Sequence, residues 1–265
     1  MTVPSTNPAP NPDPASEGQW DRQQRRYWDG ISREYDALYQ NYWSRRENTW
    51  VERRLSFLAE LQAPTVLDLG CGTGLGLQMV RNINDFAQYI GLDISPGMLG
   101  ELMDKGATKV EIGSMEDLSF LGTGSVDAVI SLFSSVSYAR RTEAVLNEVS
   151  RVLAPGGYAY LSLLSSSALS RLRTGSASGR YRTRGDRRAD NSVPVRAYTC
   201  TTVIGMGLHA GLQPVRVTGM NLFSGLAEVP RLWTAGRLGA RLLPNRAHTI
   251  EAIFQKVSAP GDRHA

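Results

Sequence analysis

The densest chemistry in this 265-residue chain is a turn, Val66-Leu67-Asp68-Leu69-Gly70-Cys71-Gly72-Thr73-Gly74. It places a carboxylate before three glycines at alternate positions. Glycine lets backbone approach a ligand closely, and a helix opening after such a turn offers amides with no partner of their own. A dinucleotide fingerprint needs a third glycine three residues after Gly72, where Leu75 stands, which weakens NAD and FAD. A phosphate loop of the nucleoside triphosphatases needs Gly-Lys-Ser or Gly-Lys-Thr, and no lysine is near. A second concentration of chemistry lies between residues 166 and 197, where Arg171, Arg173, Arg180, Arg182, Arg184, Arg187, Arg188 and Arg196 face only Asp186 and Asp190. These arginines suit an anionic group such as a carboxylate, a phosphate or a carrier-bound acyl group; they equally suit a solvated loop in an arginine-biased chain.

The elements around the turn alternate in period. An apolar run of strand length, Thr65 to Leu69, precedes it, and a helical stretch through Leu77, Val80 and Ile83 follows. Strands are expected at Tyr89 to Leu92, Lys109 to Ile112, Asp127 to Leu132 and, after the breaker Pro155-Gly156-Gly157, Tyr158 to Leu164. Helices are expected after Ser95-Pro96 and from Thr142 to Leu153, where Val145, Leu146, Val149, Val152 and Leu153 share a face. Farther on, a helix from Thr201 to Ala210, a strand from Pro214 to Thr218, short helices within Phe223 to Leu243 and a last strand from Thr249 to Val257 complete the pattern. Strands alternating with helices make a mostly parallel sheet covered on both faces, with its ligand crevice at the carboxyl ends of the strands.

Five segments in order resemble the motifs of the class I S-adenosylmethionine-dependent methyltransferases: Val66 to Gly74, Tyr89 to Leu99, Gly113 to Phe120, Asp127 to Leu132 and Glu148 to Leu161 with its Pro155-Gly156-Gly157 turn. The resemblance implies a Rossmann-like, doubly wound α/β fold with a mostly parallel seven-stranded sheet, an N-terminal helical lid and an inserted cap after the fifth strand. It implies S-adenosyl-L-methionine as cofactor. Asp93, 19 residues after Gly74, would accept from both ribose hydroxyls. Asp68 and the Gly70-Cys71-Gly72 turn would face the methionine part, and Cys71 belongs to that turn by size with no thiol chemistry assigned to it. Ile94 and Met98 would sandwich the adenine, and Ser114, Met115 and Glu116 would meet its edge, with Ser114 where the family often has Asp. Leu132, closing the fourth strand, completes the set. Tyr27, and Arg46 22 residues before Asp68, are similar in spacing to small-molecule N-methyltransferases of the glycine type, in which a tyrosine lies near the sulfonium and an arginine holds the methionine carboxylate. The plainer reading has the aromatics packing a lid and Arg46 exposed.

The domain plan is a disordered tail at 1–18, where five prolines stand among small polar residues, a helical lid at 19–61 and a cofactor-binding core at 62–164. An inserted cap or loop at 165–197, completion of the sheet at 198–258 and a tail at 259–265 follow. Basic residues comprise 26 Arg and 3 Lys, and net charge is +4, split as −6 over residues 1–165 and +10 over the remainder. Two cysteines exclude a disulfide scaffold and a four-thiolate zinc site, and no metal site is expected. No apolar run approaches the ~20 residues of a membrane span, and the N-terminus lacks the build of a signal peptide, so a cytoplasmic protein without membrane partner is expected. Methyl transfer to an activated sulfonium relies chiefly on positioning, with a base needed only for an acceptor that keeps its proton. His209, His248, Tyr27, Tyr35, Tyr39 and Tyr198 are candidates for that base; His209 also suits a helix C-terminal cap. The expected function is methylation of a small-molecule acceptor, anionic if the arginines bind it, in bacterial specialised metabolism. Nucleic acid is disfavoured because no RNA-binding module is visible and Ser131-Leu132-Phe133-Ser134-Ser135 differs from the Asn-Pro-Pro-Tyr type. RNA or protein methylation, and cofactor binding without transfer, are the alternatives.

Overall fold

The computed structural model describes residues 14–170, 180–181 and 192–257. Its centre is β1 (Thr65–Leu69), β2 (Gln88–Asp93), β3 (Val110–Ile112), β4 (Val126–Ser131) and β5 (Leu153–Leu164), all parallel, extended by β8 (Leu212–Gly219) and β9 (Thr249–Lys256). Strand order is β3-β2-β1-β4-β5-β9-β8, with β9 antiparallel to both of its neighbours. This is the mostly parallel seven-stranded sheet expected. β6 (Arg180–Tyr181) and β7 (Val193–Pro194) form a separate two-stranded ladder.

The parallel strands read as continuous apolar runs because both faces are covered. Val66, Ala128, Ile130 and Tyr160 pack under α3 (Leu75–Ile83), α4 (Pro96–Asp104) and the end of α2 (Tyr42–Arg54). Leu67, Leu69, Val129 and Leu161 pack on the opposite side against α5 (Thr142–Val152) and α6 (Cys200–His209). Period-2 alternation thus sorts adjacent residues into two separate cores.

α1 (Pro14–Leu38) lies over the carboxyl ends of the strands. It begins inside the segment read as a tail, because proline at a first helical position gives up an amide that no helix would use; residues 1–13 lie outside the described residues. Its anchors are polar. Trp20 Nε1 donates to the Tyr138 carbonyl (2.8 Å), Gln24 Nε2 to Pro194 (2.7 Å) and Arg25 Nε to Ile94 (3.1 Å). Asp29 accepts from Ser95 Oγ (2.6 Å) and the Gly97 amide (2.9 Å), and Asp36 accepts from Thr73 Oγ1 and Lys105 Nζ at 2.5 Å each.

β5 starts at Leu153, earlier than the Pro155-Gly156-Gly157 breaker suggests. The breaker is absorbed as a bulge: pairing shifts between Val126 opposite Leu153 and Ala128 opposite Tyr158, and Gly156 takes a φ of 82°. The arginine-rich stretch lies mostly outside the described residues. Arg196 is described, and it serves the lid: it stacks over Trp20 with its guanidinium carbon 5.6 Å from the ring centre and donates through Nε to the Arg140 carbonyl. Among the described residues no helix is long and apolar enough to cross a membrane.

Candidate active site

At the ends of β1 and β2 the chain turns twice within hydrogen-bond reach. Gly70 and Gly72 have φ of 68° and 53°, backbone that L side chains rarely adopt. A Cβ on Gly70 would come within 2.7 Å of Ser135 Cβ, whereas one on Gly72 would meet no protein atom within 4 Å. The Gly72 amide donates to Asp93 Oδ2 (2.9 Å) and the Ser95 amide to Asp93 Oδ1 (2.9 Å), so the second-strand acid is oriented by backbone alone. Burial pushes its carboxyl up to about 6, against the opposing pull of those amides. Asp68 is fully buried and accepts from Tyr89 OH at Oδ2 (2.7 Å), while Oδ1 is buried with no hydrogen-bond partner. Desolvation raises Asp68 to about 7. Burial, with Asp93 and Asp68 nearby, keeps the Cys71 thiol protonated.

Two connected chambers open around this turn, and Tyr35, Tyr39, Glu47, Gly70, Gly72 and Ser135 line both. The inner chamber runs along Asp93, Ile94, Met98, Ser114 and Met115 toward Met220, Ser224, His248 and Thr249. The outer one passes under the glycine turn by Asp68, Cys71 and Leu132 and reaches Arg45 and Lys105. Ten of the thirteen residues expected from sequence therefore meet the cavity or its turn; the other three, Tyr27 and Arg46 of the lid and Glu116 on the adenine side, do not.

Tyr27 is buried among Ile31, Met98, Leu164 and Val193 and stacks edge-on against Trp28 (4.9 Å); Trp28 and Tyr35 face the cavity in its place. Arg46 is exposed, 5.5 Å over the Trp233 ring, while Arg45, one residue earlier on the helix and turned by about 100°, lines the outer chamber. Glu116 is spent on structure. It accepts from the Arg140 amide (2.6 Å) and the Arg141 amide (2.9 Å) and pairs with both guanidiniums, fixing the loop before α5.

Of the proton-transfer candidates, Tyr35, Tyr39 and His248 line the cavity, and His248 Nδ1 lies 2.9 Å from Ser170 Oγ. Tyr198 is engaged by Thr142 (2.7 Å), and His209 sits in the last turn of α6, a cap position. Sequence reasoning missed Glu47, Ser224 and the loop after β4. In that loop Phe133 and Ser134 adopt φ of 48° and 69°, and the Ser134 amide donates to Ser162 Oγ (2.7 Å). Two successive left-handed residues without glycine leave no signature in composition.

Glu47 is positioned from far away. α2 is tied down by Glu251, which accepts from Trp50 Nε1 (2.9 and 3.1 Å) and Tyr160 OH (3.1 Å) and lies 3.8 Å from the guanidiniums of Arg54 and Arg237. Arg237 belongs to α7 (Trp233–Leu242) and also donates to the Met220 carbonyl. On the cavity side Glu47 Oε1 accepts from Ser224 Oγ (2.6 Å) and Trp43 Nε1 (3.2 Å).

A family profile described as a methyltransferase domain matches residues 66–157. An uncharacterized protein of Methanocaldococcus jannaschii is 34% identical over 133 residues, which is 50% of this chain and 48% of that protein. A ubiquinone biosynthesis O-methyltransferase of Xanthomonas oryzae is 31% identical over 111 residues, 40% of this chain and 45% of that one. The chain thus spans about half the length of these curated relatives. Among solved structures, the methyltransferase in complex with the Trm112 methyltransferase activator of Haloferax volcanii superposes with a TM-score of 0.62 at 18% identity, covering 89% of this chain and 98% of that one. The residues present fit the cofactor of this family: the space beside Gly72 accepts a ligand against backbone, and the orphaned Asp68 Oδ1 awaits a donor. With the glycine turn, the acid ending β2 and the seven-stranded order all in place, residues 66–157 carry a methyltransferase domain whose turn fits S-adenosylmethionine as its cofactor.

Proposed function

We propose that this protein transfers the methyl group of S-adenosylmethionine to a small-molecule acceptor. The observation that carries the reading is the continuity of the cavity: the chamber holding Asp93, Ser114 and Met115 passes the Gly70–Gly72 turn and ends at Ser224, His248 and Thr249 beneath the lid. When bound, the cofactor supplies an activated methyl carbon on a sulfonium. Asp93 would accept from the two ribose hydroxyls, and Ile94 and Met98 would flank the adenine, with Ser114 and Met115 at its edge. The Asp68 carboxylate and the Gly70 backbone would orient the methionine part, and Arg45 would take over the carboxylate clamp that the resemblance gave to Arg46, because a planar guanidinium matches a carboxylate and of these two arginines Arg45 alone lines the cavity. The lid excludes water from the reacting centre, so that positioning contributes most of the rate. An acceptor small enough to lie under α1 fits a helix held by anchors at Trp20, Gln24, Asp29 and Asp36 better than a nucleic acid or protein chain does.

Incubation of the full chain with methyl-labelled cofactor and fractionated host extract tests this. Label in the low-mass fraction is expected; label confined to RNA or protein would overturn it.

A further inference from the structure

The far end of the inner chamber has a chemistry that the cofactor does not use. The charged lining of the chamber among the described residues is acidic throughout: Asp93, which the ribose would engage, and apart from it Asp21, Glu47 and Glu228, with no lysine or arginine. Its walls are aromatic: Trp28, Tyr35, Tyr39, Phe133 and Tyr138. Carboxylates beside aromatic faces suit a cation, since ring quadrupoles and negative charge attract it together. Within this wall Glu47 is singular. Both hydrogen bonds it accepts, from Ser224 and Trp43, end on Oε1. Oε2 accepts none from a described residue, and the side chain is held at the neck shared by both chambers, beside Gly70, Gly72 and Ser135.

Resting on the methyl-transfer reading, we propose that the acceptor is a cationic amine and that Glu47 receives its proton. The ammonium gives one proton to Glu47 Oε2, which frees the nitrogen lone pair. The nitrogen then bonds to the methyl carbon as the carbon–sulfur bond breaks, and that bond's electron pair stays on sulfur as a neutral thioether. The methylated ammonium departs, and the proton on Glu47 passes to solvent. An anionic acceptor, one of the two readings of the arginine-rich stretch, meets only like charge in the described part of this chamber.

Burial pushes the Glu47 carboxyl up to about 7, with the Glu251 charge adding to the rise and the Ser224 and Trp43 bonds opposing it. Tyr35 from α1, Tyr39 just after it, Asp21 and Asp93 of the inner chamber, Asp36, Arg45, Asp68 and Lys105 of the outer one, Glu228 and His248 from the segments before β9, and Glu251 from β9 itself are the titratable groups that share its surroundings. A cation seated beside Glu47 favours its ionised form. At about pH 6, where Glu47 holds a proton, amine binding releases it; at about pH 8 there is none to release.

The test uses the full chain saturated with S-adenosylhomocysteine and three probes of one shape, phenethylamine, 2-phenylethanol and phenylacetate, titrated by calorimetry in buffers of different ionisation enthalpy. The amine is expected to bind roughly tenfold or more tighter than the carboxylate, with proton release at about pH 6 only. Glu47→Gln should weaken the amine roughly tenfold and abolish the release, while S-adenosylhomocysteine binds as before. Ser224→Ala removes one donor from Oε1, so release should persist to higher pH; this variant decides the matter if Glu47→Gln does not fold. Equal or tighter binding of the carboxylate, no amine binding, or an unchanged proton release in both variants would overturn the proposal. Failure of the wild-type chain to bind S-adenosylhomocysteine would instead overturn the methyl-transfer reading.

Discussion

The two ends of the cavity are built by different means. At the nucleoside end, Asp93, Ile94, Met98, Ser114 and Met115 fall within 23 consecutive residues, and the groups that orient Asp93 are backbone amides of its own neighbourhood and of the glycine turn. At the acceptor end, Glu47, Ser224 and His248 span 202 positions and are brought together by side chains on α2, on the loop after β8 and just before β9. A site made of strand ends and turns is specified locally. One made of side chains from remote elements exists only after β9 has inserted between β5 and β8.

The largest expected effect breaks the nucleoside end at its backbone. Gly70→Val places a branched side chain at a φ of 68° with Ser135 Cβ within 2.7 Å, so strain of about 1–3 kcal/mol adds to a steric clash. S-adenosylhomocysteine affinity should fall roughly a hundredfold or more by calorimetry. Binding within a few fold of wild type would mean that the turn does not define this end.

Asp93→Ala comes next. Losing charged hydrogen bonds to the ribose should weaken S-adenosylhomocysteine by about 2 kcal/mol, and unchanged affinity would remove Asp93 from the site. The wild-type protein supplies a pH version of the same experiment. The Asp93 carboxyl is raised to about 6, so it is ionised and a full acceptor above that value and protonated below it. Affinity should therefore decline as pH falls through about 6, and Asp93→Asn should lack that decline.

The difference between the ends also explains what the sequence discloses. Thr65 to Leu69, the Gly70–Gly72 turn and Asp93 are legible because period-2 apolar runs, glycines and a strand-end acid are local signals with one structural solution. Pro14 and Pro155 are misread for the same local reason, since proline is tolerated at a helix start and at a bulge. Glu116 has the motif's position without its role, because Arg140 and Arg141, over twenty residues onward, claim both oxygens. Glu47 carries no local signal at all: among exposed-looking arginines and asparagine on α2, only the fold turns it inward.

Arg45→Ala sharpens the comparison at the junction of the two ends. If Arg45 holds the methionine carboxylate, its loss should weaken S-adenosylmethionine by about 1.5 kcal/mol, and should weaken adenosine itself by nothing measurable in the same titration. An equal loss for both ligands would place Arg45 in a purely structural role.

Arg46→Ala should have the smallest effect, and it separates spacing from geometry. The resemblance in spacing to the glycine-type N-methyltransferases assigns Arg46 to the cofactor and implies a loss as large as that at Arg45. In the fold its guanidinium lies over Trp233, whose ring meets Trp43 edge-on at 5.1 Å, and Trp43 in turn donates to Glu47 and Ser224. Arg46 therefore supports the acceptor end from outside, through one exposed cation–π contact worth about 0.5–1 kcal/mol. Its removal should lower the melting temperature slightly and leave S-adenosylhomocysteine affinity unchanged, because no atom of it reaches the chamber in which Arg45 stands. A drop in cofactor affinity without a change in melting temperature would return the clamp to Arg46 and mean that α2 turns by one residue when the cofactor binds.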